Sequence, residues 1–269
     1  MQVESVDISA DEFGAFRELI HRIAGISLAP AKRELVRGRL AKRLKHNGLE
    51  SYADYFKLLC GKGSAELQIA VDLLTTNETY FFREPKHFEF LRDKVLAAHP
   101  RGVPFRVWSA ASSSGEEAYS IAMELADALG DAPWEIVGSD LSTRVLQRAR
   151  SGHYAMARAD NIPSALLKRH CLKGVGPEDG TFIIKPELRR RVRFVQVNLN
   201  EPLPELGKFD LVFLRNILIY FENDTKRKVL ARIEPLLKAG GILMVSHSET
   251  LNGITGNLNV LQPAIYRKP

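Results

Sequence analysis

Val107-Trp-Ser-Ala-Ala-Ser-Ser-Ser-Gly-Glu-Glu117, followed by Gly138-Ser-Asp140, decides the fold of this chain. The first stretch is an apolar strand, a turn of small residues and the start of a helix; the second is a strand that ends on a carboxylate. A strand, a tight turn, a helix and a second strand closing on an acid form the front half of a nucleoside-binding α/β unit. A dinucleotide site would carry several glycines in the turn, so that backbone amides could close on a pyrophosphate. This turn has one glycine, Gly115, and then two carboxylates, Glu116 and Glu117, which repel phosphate and also complement the helix dipole. The pattern suits a ligand with a ribose, held by Asp140, and a cationic end. S-adenosylmethionine meets that description.

Outward from this unit the pattern keeps alternating. Strands are expected at residues 105–109, 134–139, 192–197, 209–214 and 242–246, with helices at 116–129, 142–150 and 224–237. The fold class that follows is α/β: a doubly wound, mostly parallel sheet covered by helices. Between residues 172 and 196, Gly174, Gly176, Pro177 and Gly180 flank β-prone pieces such as Thr181-Phe-Ile-Ile184, which predicts a small antiparallel β-subdomain. Residues 1–75 read as a separate all-helical domain. Ser9 and Glu12 make a capping box before Phe13, Phe16, Leu19, Ile20 and Ile23, and Gly25 closes that helix. Residues 76–101 are the linker, with a helix over 86–98, and the α/β domain occupies 102–269.

At 269 residues, 45% hydrophobic and 26% charged, the chain is long enough for a large and a small domain and is neither disordered nor fibrous. No apolar run approaches the roughly 18 residues that span a bilayer, and residues 1–12 lack a basic-then-apolar leader, so a cytoplasmic location and no membrane insertion are expected. Cys60 and Cys171 have neither disulfide nor zinc spacing, and no metal is expected.

The formal net charge of +6 points to an acidic partner. It concentrates in residues 30–45, where Lys32, Arg33, Arg37, Arg39, Lys42, Arg43 and Lys45 face one acid, Glu34, while Leu35, Val36, Leu40 and Leu44 recur at helical spacing. This is a basic amphipathic helix with one buried face and a docking surface for something negative.

Six segments in order along the chain resemble the CheR family, the chemotaxis receptor methyltransferases. They are Thr76-Asn-Glu-Thr-Tyr-Phe-Phe-Arg83, Trp108-Ser-Ala-Ala-Ser-Ser-Ser-Gly-Glu-Glu-Ala-Tyr-Ser120, Ser139-Asp140, Val197-Asn-Leu199, Arg215-Asn-Ile-Leu-Ile-Tyr-Phe221 and Ser246-His-Ser-Glu249. The resemblance implies transfer of a methyl group from S-adenosylmethionine to glutamate side chains in the cytoplasmic helices of chemoreceptors, leaving γ-methyl esters and S-adenosylhomocysteine. It also implies a helical N-terminal domain before the methyltransferase domain.

By the same resemblance Asn77, Thr79 and Arg83 belong to a linker motif that covers the cofactor. Glu117, Asp140, Asn198, Leu199, Arg215, Asn216 and Tyr220 line the rest of its pocket. A guanidinium and a phenol can each direct hydrogen bonds at an oxygen, so Arg83 and Tyr220 are expected to be the catalytic residues that position the incoming carboxylate or the methyl donor. Arg39 and Lys45 are expected to dock the receptor, and the β-subdomain to take a receptor C-terminal tail. The chain departs from the family at Ala118, where proline is common; alanine suits a first helical turn almost as well. His247 reads as a structural histidine. The protein is expected to be a monomer. Two other readings share the cofactor fold: a nucleic-acid methyltransferase, which the chain supports only by its charge, and a non-catalytic receptor adaptor.

Overall fold

A computed structural model describes residues 7–61 and 63–269, which cluster into two compact units. The first takes in the described residues up to Thr76 together with Tyr220–Thr225; the second comprises Asn77–Ile219 and Lys226–Pro269.

The helical unit contains α1 (Ala10–Ala24), α2 (Arg33–His46), α3 (Tyr52–Cys60) and α4 (Ala65–Leu74). Both halves of the Ser9/Glu12 capping box form, and Gly25 ends α1 at φ 72° with its N–H on the His21 carbonyl. Phe16, Ile20, Val36, Leu40, Tyr52 and Tyr55 are fully buried and make the core. The helix expected over residues 30–45 is present, and its buried stripe is Val36, Leu40 and Leu44; Leu35 is only half-buried.

The second unit holds a seven-stranded sheet: β1 (Phe105–Ser109), β2 (Trp134–Asp140), β6 (Val192–Gln196), β7 (Phe209–Phe213), β8 (Leu237–Met244), β9 (Asn259–Gln262) and β10 (Ile265–Arg267). Their spatial order is β6-β2-β1-β7-β8-β10-β9; the first five run parallel, and β10 is antiparallel to both its neighbours, β8 and β9. The order reverses direction at β1, so the turns after β1 and β2 open the crevice where α/β sheets take ligands. Helices α6 (Glu116–Leu129) and α7 (Thr143–Ser151) connect these strands, and Ser142 caps α7. The helix expected over residues 86–98 is α5 (Pro85–Phe90), continued by a π-helical turn, Leu91–Leu96.

A second sheet of three antiparallel strands orders β3 (His153–Ala155), β5 (Thr181–Ile184) and β4 (Cys171–Lys173), with α8 (Ser164–His170) inserted before β4. The subdomain therefore begins near residue 153, not 172, and the strand at 192–196 belongs to the main sheet. His153–Ala155 escaped notice because three residues are too few to show alternation. Val192–Gln196 pairs in parallel with β2 from Ile136 to Asp140, which no local signal announces.

Candidate active site

Four loops of the second unit meet at the C-terminal edge of its sheet. They follow β1 (Ser112 to Ser114), β2 (Asp140 to Ser142), β7 (Arg215 and Asn216) and β8 (Ser246 to Glu249), and the linker at residues 77–84 joins them. Five non-glycine residues among those described have positive φ, and four are here: Phe82 (54°), Glu84 (60°), Ser113 (48°) and Asn216 (57°). Left-handed backbone at side-chain-bearing residues costs about 1 kcal/mol or more apiece, and concentrating it at one edge marks a functional site.

Asp140 ends β2 with both oxygens pinned: Oδ2 accepts the Ser113 N–H and Oδ1 the Ser142 N–H, each at 2.9 Å. The Ser112 N–H goes to the Ser139 carbonyl (2.7 Å) and the Gly115 N–H to Ser112 (2.9 Å). These three turn amides are satisfied within the fold and do not form a phosphate cradle. Gly115 is required by space as well as by its φ of 97°, since a Cβ there would lie 2.9 Å from the Tyr154 hydroxyl and 3.0 Å from Ala149 Cβ.

The two glutamates at the start of α6 each meet an arginine. Glu117 accepts from Ser109 Oγ at 2.7 Å and from Arg215 Nη1 at 2.9 Å. Burial pushes its carboxyl up, and Arg215 and Ser109 oppose that rise. Glu116, 1% exposed, pairs with Arg158 and accepts from Ser114 Oγ at 2.7 Å. Arg215 is 4% exposed and also donates to the Arg83 carbonyl at 2.6 Å. The carboxylates read from the sequence as a counter-charge for a cationic ligand are thus already partly neutralised from within.

Glu84 is the hub of the edge. Its Oε1 accepts from Ser246 Oγ (2.8 Å) and lies 3.4 Å from Arg215 Nη2; its Oε2 accepts the backbone N–H (2.9 Å) and Nδ1 (2.5 Å) of His247. Burial alone would raise this carboxyl, but the His247 amide, Arg215, Ser246 and the His247 ring together bring it down to about 2. His87, 1% exposed, stacks on His247 at 4.3 Å with 8° between the rings. Burial, reinforced by Arg215 and His247, lowers His87 to about 3 even though Glu84 acts the other way. Glu249, 7% exposed, accepts backbone N–H groups from Ser246 (2.9 Å), Asn216 (2.9 Å) and Ile219 (3.2 Å), while burial raises its carboxyl.

Glu84, His87 and His247 carry three ligand-type atoms within 4.8 Å of one another. The Glu84–His247 hydrogen bond closes the space between two of them. The stacked rings also keep their in-plane lone pairs in parallel planes, so they do not converge on one ion. The geometry is that of a hydrogen-bonded Glu84–His247 pair with the His87 ring stacked on it.

The remaining residues read from the sequence fall as follows. The Asn77 carbonyl accepts from Ser113 Oγ (2.9 Å), and buried Thr79 gives its carbonyl to Arg158 (2.8 Å). Arg83 is half-buried, with its guanidinium donating to the Glu78 carbonyl (2.9 Å) and lying over the Tyr80 ring. Asn198 and buried Leu199 follow β6, where the Asn198 side chain accepts the Asn200 N–H (3.0 Å). Asn216 Nδ2 donates to Ser246 Oγ (2.9 Å). Tyr220 belongs to the helical unit, where its carbonyl accepts the Ser27 N–H (2.8 Å).

Of the docking candidates, Lys45 is exposed, whereas Arg39 is turned inward, donating to the Leu74 and Thr75 carbonyls (3.1 Å each) at the end of α4. Arg43 likewise makes a two-pronged pair with Glu66 (2.7 Å, twice). A helical charge pattern cannot distinguish an arginine that caps a neighbouring helix from one that faces solvent.

Sequence reasoning missed Glu84, His87 and Glu249 and set His247 aside. Their nearness to the quoted segments was the available signal, but nothing in spacing tells that Glu84 and His247 meet.

A doubly wound sheet with a carboxylate at the end of β2, a turn that offers no phosphate cradle and two glutamates opening the next helix defines the class of S-adenosylmethionine-dependent methyltransferases. Residues 77–266 match the family model described as CheR methyltransferase, SAM binding domain, and residues 11–75 the one described as CheR methyltransferase, all-alpha domain. The chain belongs to the CheR methyltransferase family. It is 40% identical to the chemotaxis protein methyltransferase of Salmonella typhimurium over 96% of this chain and 90% of that one. It is 44% identical to chemotaxis protein methyltransferase 2 of Pseudomonas aeruginosa over 89% of this chain and 86% of that one. Among solved structures, the glycopeptide N-methyltransferase MtfA complexed with sinefungin is similar at 16% identity and a TM-score of 0.38, covering 68% of this chain and 60% of that one, a likeness too slight to carry an argument.

Proposed function

We propose that this protein methylates glutamate side chains of chemoreceptors, using S-adenosylmethionine as the methyl donor. The observation that carries the reading is the convergence at one sheet edge of Asp140, Glu117, Arg215 and the strained linker. Asp140 is an acceptor-only group at the C-terminal end of β2, the position from which a carboxylate takes ribose hydroxyls in α/β sheets. Four buried polar atoms at this edge, Ser112 Oγ, Arg215 Nε and both ring nitrogens of His87, have no hydrogen-bond partner among the described residues, and the first two flank Asp140 and Glu117, where a ligand would complete the site. When bound, S-adenosylmethionine supplies a methyl group on a positive sulfur, and everything else falls to the protein and the acceptor.

A glutamate carboxylate, with an ordinary pKa near 4.3, is ionised at neutral pH, so the acceptor needs no general base. A carboxylate oxygen bonds to the methyl carbon as the carbon–sulfur bond breaks with its electron pair going to sulfur, and both charges vanish. Alignment and water exclusion therefore govern the rate. In this reading residues 77–83 cover the cofactor, Asn198, Leu199 and Asn216 shape its pocket, and Arg83 and Tyr220 orient the reacting groups. The docking face is that of α2, carried by Lys45 with its exposed neighbour Lys42 rather than by Arg39. The three-stranded subdomain offers β4 as an edge for a receptor tail, and the protein acts as a monomer.

The test is transfer of labelled methyl from S-adenosylmethionine to membranes carrying chemoreceptors, followed by alkali. Release of volatile methanol from the receptor band supports the reading; no transfer, with cofactor bound, moves the weight to an adaptor role.

A further inference from the structure

Arg158 of the β-subdomain reaches the linker that the proposed function sets over the cofactor. Arg158 lies in the turn Met156–Arg158 that follows β3. Its Nη2 donates to the Thr79 carbonyl at 2.8 Å and to Glu116 Oε1, so one guanidinium holds the linker and the start of α6 together. The turn is itself fixed to the subdomain, since the Met156 N–H donates to the Gly180 carbonyl at 2.8 Å. Around this point the same elements interlock. Phe81 of the linker packs on Tyr154 (5.0 Å) and Phe182 (5.8 Å), and the Tyr154 hydroxyl donates to the Ser114 carbonyl at 2.7 Å.

We infer that Arg158 is a positioning residue for methyl transfer: it ties the β-subdomain to the linker and so sets the pose of residues 77–83 against the cofactor turn. Two features separate this from ordinary surface pairing. Glu116 is 1% exposed, so its partner answers a buried charge, and Thr79 is 8% exposed, so its carbonyl has little water to turn to. Arg158 itself remains 40% exposed in its side chain, which leaves the latch able to open without unfolding the core. A ligand on the subdomain that shifts the paired strands β3 and β5 would move the linker through this contact.

This inference rests on the proposed function, so the experiment measures both separately. S-adenosylhomocysteine binding by calorimetry, melting temperature and the KM and kcat of methyl transfer are compared for the full-length wild type, Arg158→Met, Arg158→Lys and the double variant Arg158→Met/Glu116→Gln. Arg158→Met should lower the melting temperature by stranding Glu116 and raise Kd and KM about tenfold, with kcat changed less. The double variant removes the stranded charge and should recover the melting temperature while Kd and KM stay high, because the Thr79 carbonyl is still unheld. Lysine, which keeps a donor at this place, should restore binding to within a few-fold. A double variant with wild-type Kd and KM would overturn the latch and leave the proposed function standing. Failure of the wild type to bind S-adenosylhomocysteine would overturn both.

Discussion

Glu84 and His247 are 163 residues apart in sequence and share one carboxylate oxygen, Glu84 Oε2, which accepts both the His247 backbone N–H and its Nδ1. The bond joins the linker before α5 to the loop after β8, and through Glu84 Oε1 it extends to Arg215 and Ser246. A left-handed Glu84 (φ 60°) is the local cost of aiming its side chain there. Glu84→Gln keeps the shape but removes the charge opposite Arg215. It should cost about 2 kcal/mol of stability and reduce methyl transfer at least tenfold, read by denaturant unfolding and initial rates. A variant as stable and active as wild type would remove Glu84 from the hub.

Acid should weaken the fold through His87 before it does so through Glu84. The folded His87 titrates near 3 and the unfolded one near 6.5, so the unfolded chain binds the extra proton between these values and stability falls as pH drops through that window. Glu84, at about 2 folded against 4.5 unfolded, adds to the loss only below about pH 4.5. Between pH 6 and 4.5 the slope from His87 should approach about 1.4 kcal/mol per pH unit. Urea midpoints across this range, compared with His87→Phe, check it; an equally steep slope in the variant would assign the acid sensitivity elsewhere.

Binding and turnover should separate between Asp140 and Arg83. Asp140→Ala removes the carboxylate proposed to accept the ribose hydroxyls and loosens two turn amides, so S-adenosylhomocysteine affinity should fall by one to two orders of magnitude, on the order of 1.4–2.8 kcal/mol. Arg83→Ala should abolish turnover with a smaller loss of affinity. Calorimetry beside the methanol assay distinguishes them, and wild-type turnover in Arg83→Ala would end its assignment.

Exposed lysines on α2 should act on encounter with the receptor. Lys45→Glu should raise the KM for receptor several-fold, more at low salt than at high, and leave cofactor affinity unchanged. A salt-independent effect, or a change in cofactor affinity, would place Lys45 in a different role. Arg39→Ala should instead lower the melting temperature, because the Leu74 and Thr75 carbonyls lose their donor.

Gly115→Ala should destabilise the protein by about 2–3 kcal/mol and weaken cofactor binding together, since φ is 97° and Tyr154 and Ala149 leave no room. Gly14, with nothing within 4 Å of an added Cβ and an interior position in α1, is the control: alanine there should be neutral or stabilising. Thermal melts of the pair test the contrast.

Much of this was legible from local pattern. Alternation and small-residue turns placed β1, α6, β2 and α7 to within a residue or two, with the carboxylate of Asp140 at the end of β2, because strand, turn and helix signals are carried by neighbours in the chain. Strands β9 and β10 were not foreseen: β9 is exposed at all four positions and so shows no buried face to alternate. The subdomain boundary slipped for a related reason, since β3 and β4 have three residues each.

What tertiary structure alone decided is the pairing of charges. The sequence shows seven basic residues on or beside α2, but folding turned Arg39 and Arg43 onto α4 and left Lys45 outside. It shows two adjacent glutamates at the start of α6, but folding gave Arg158 to one and Arg215 to the other. It shows Glu84 beside a proline and His247 beside a strand, and only their meeting across 163 residues makes a hub. Periodicity encodes which face of an element is buried; which partner waits there depends on distant backbone brought together by the sheet, and no neighbour in the chain carries that information.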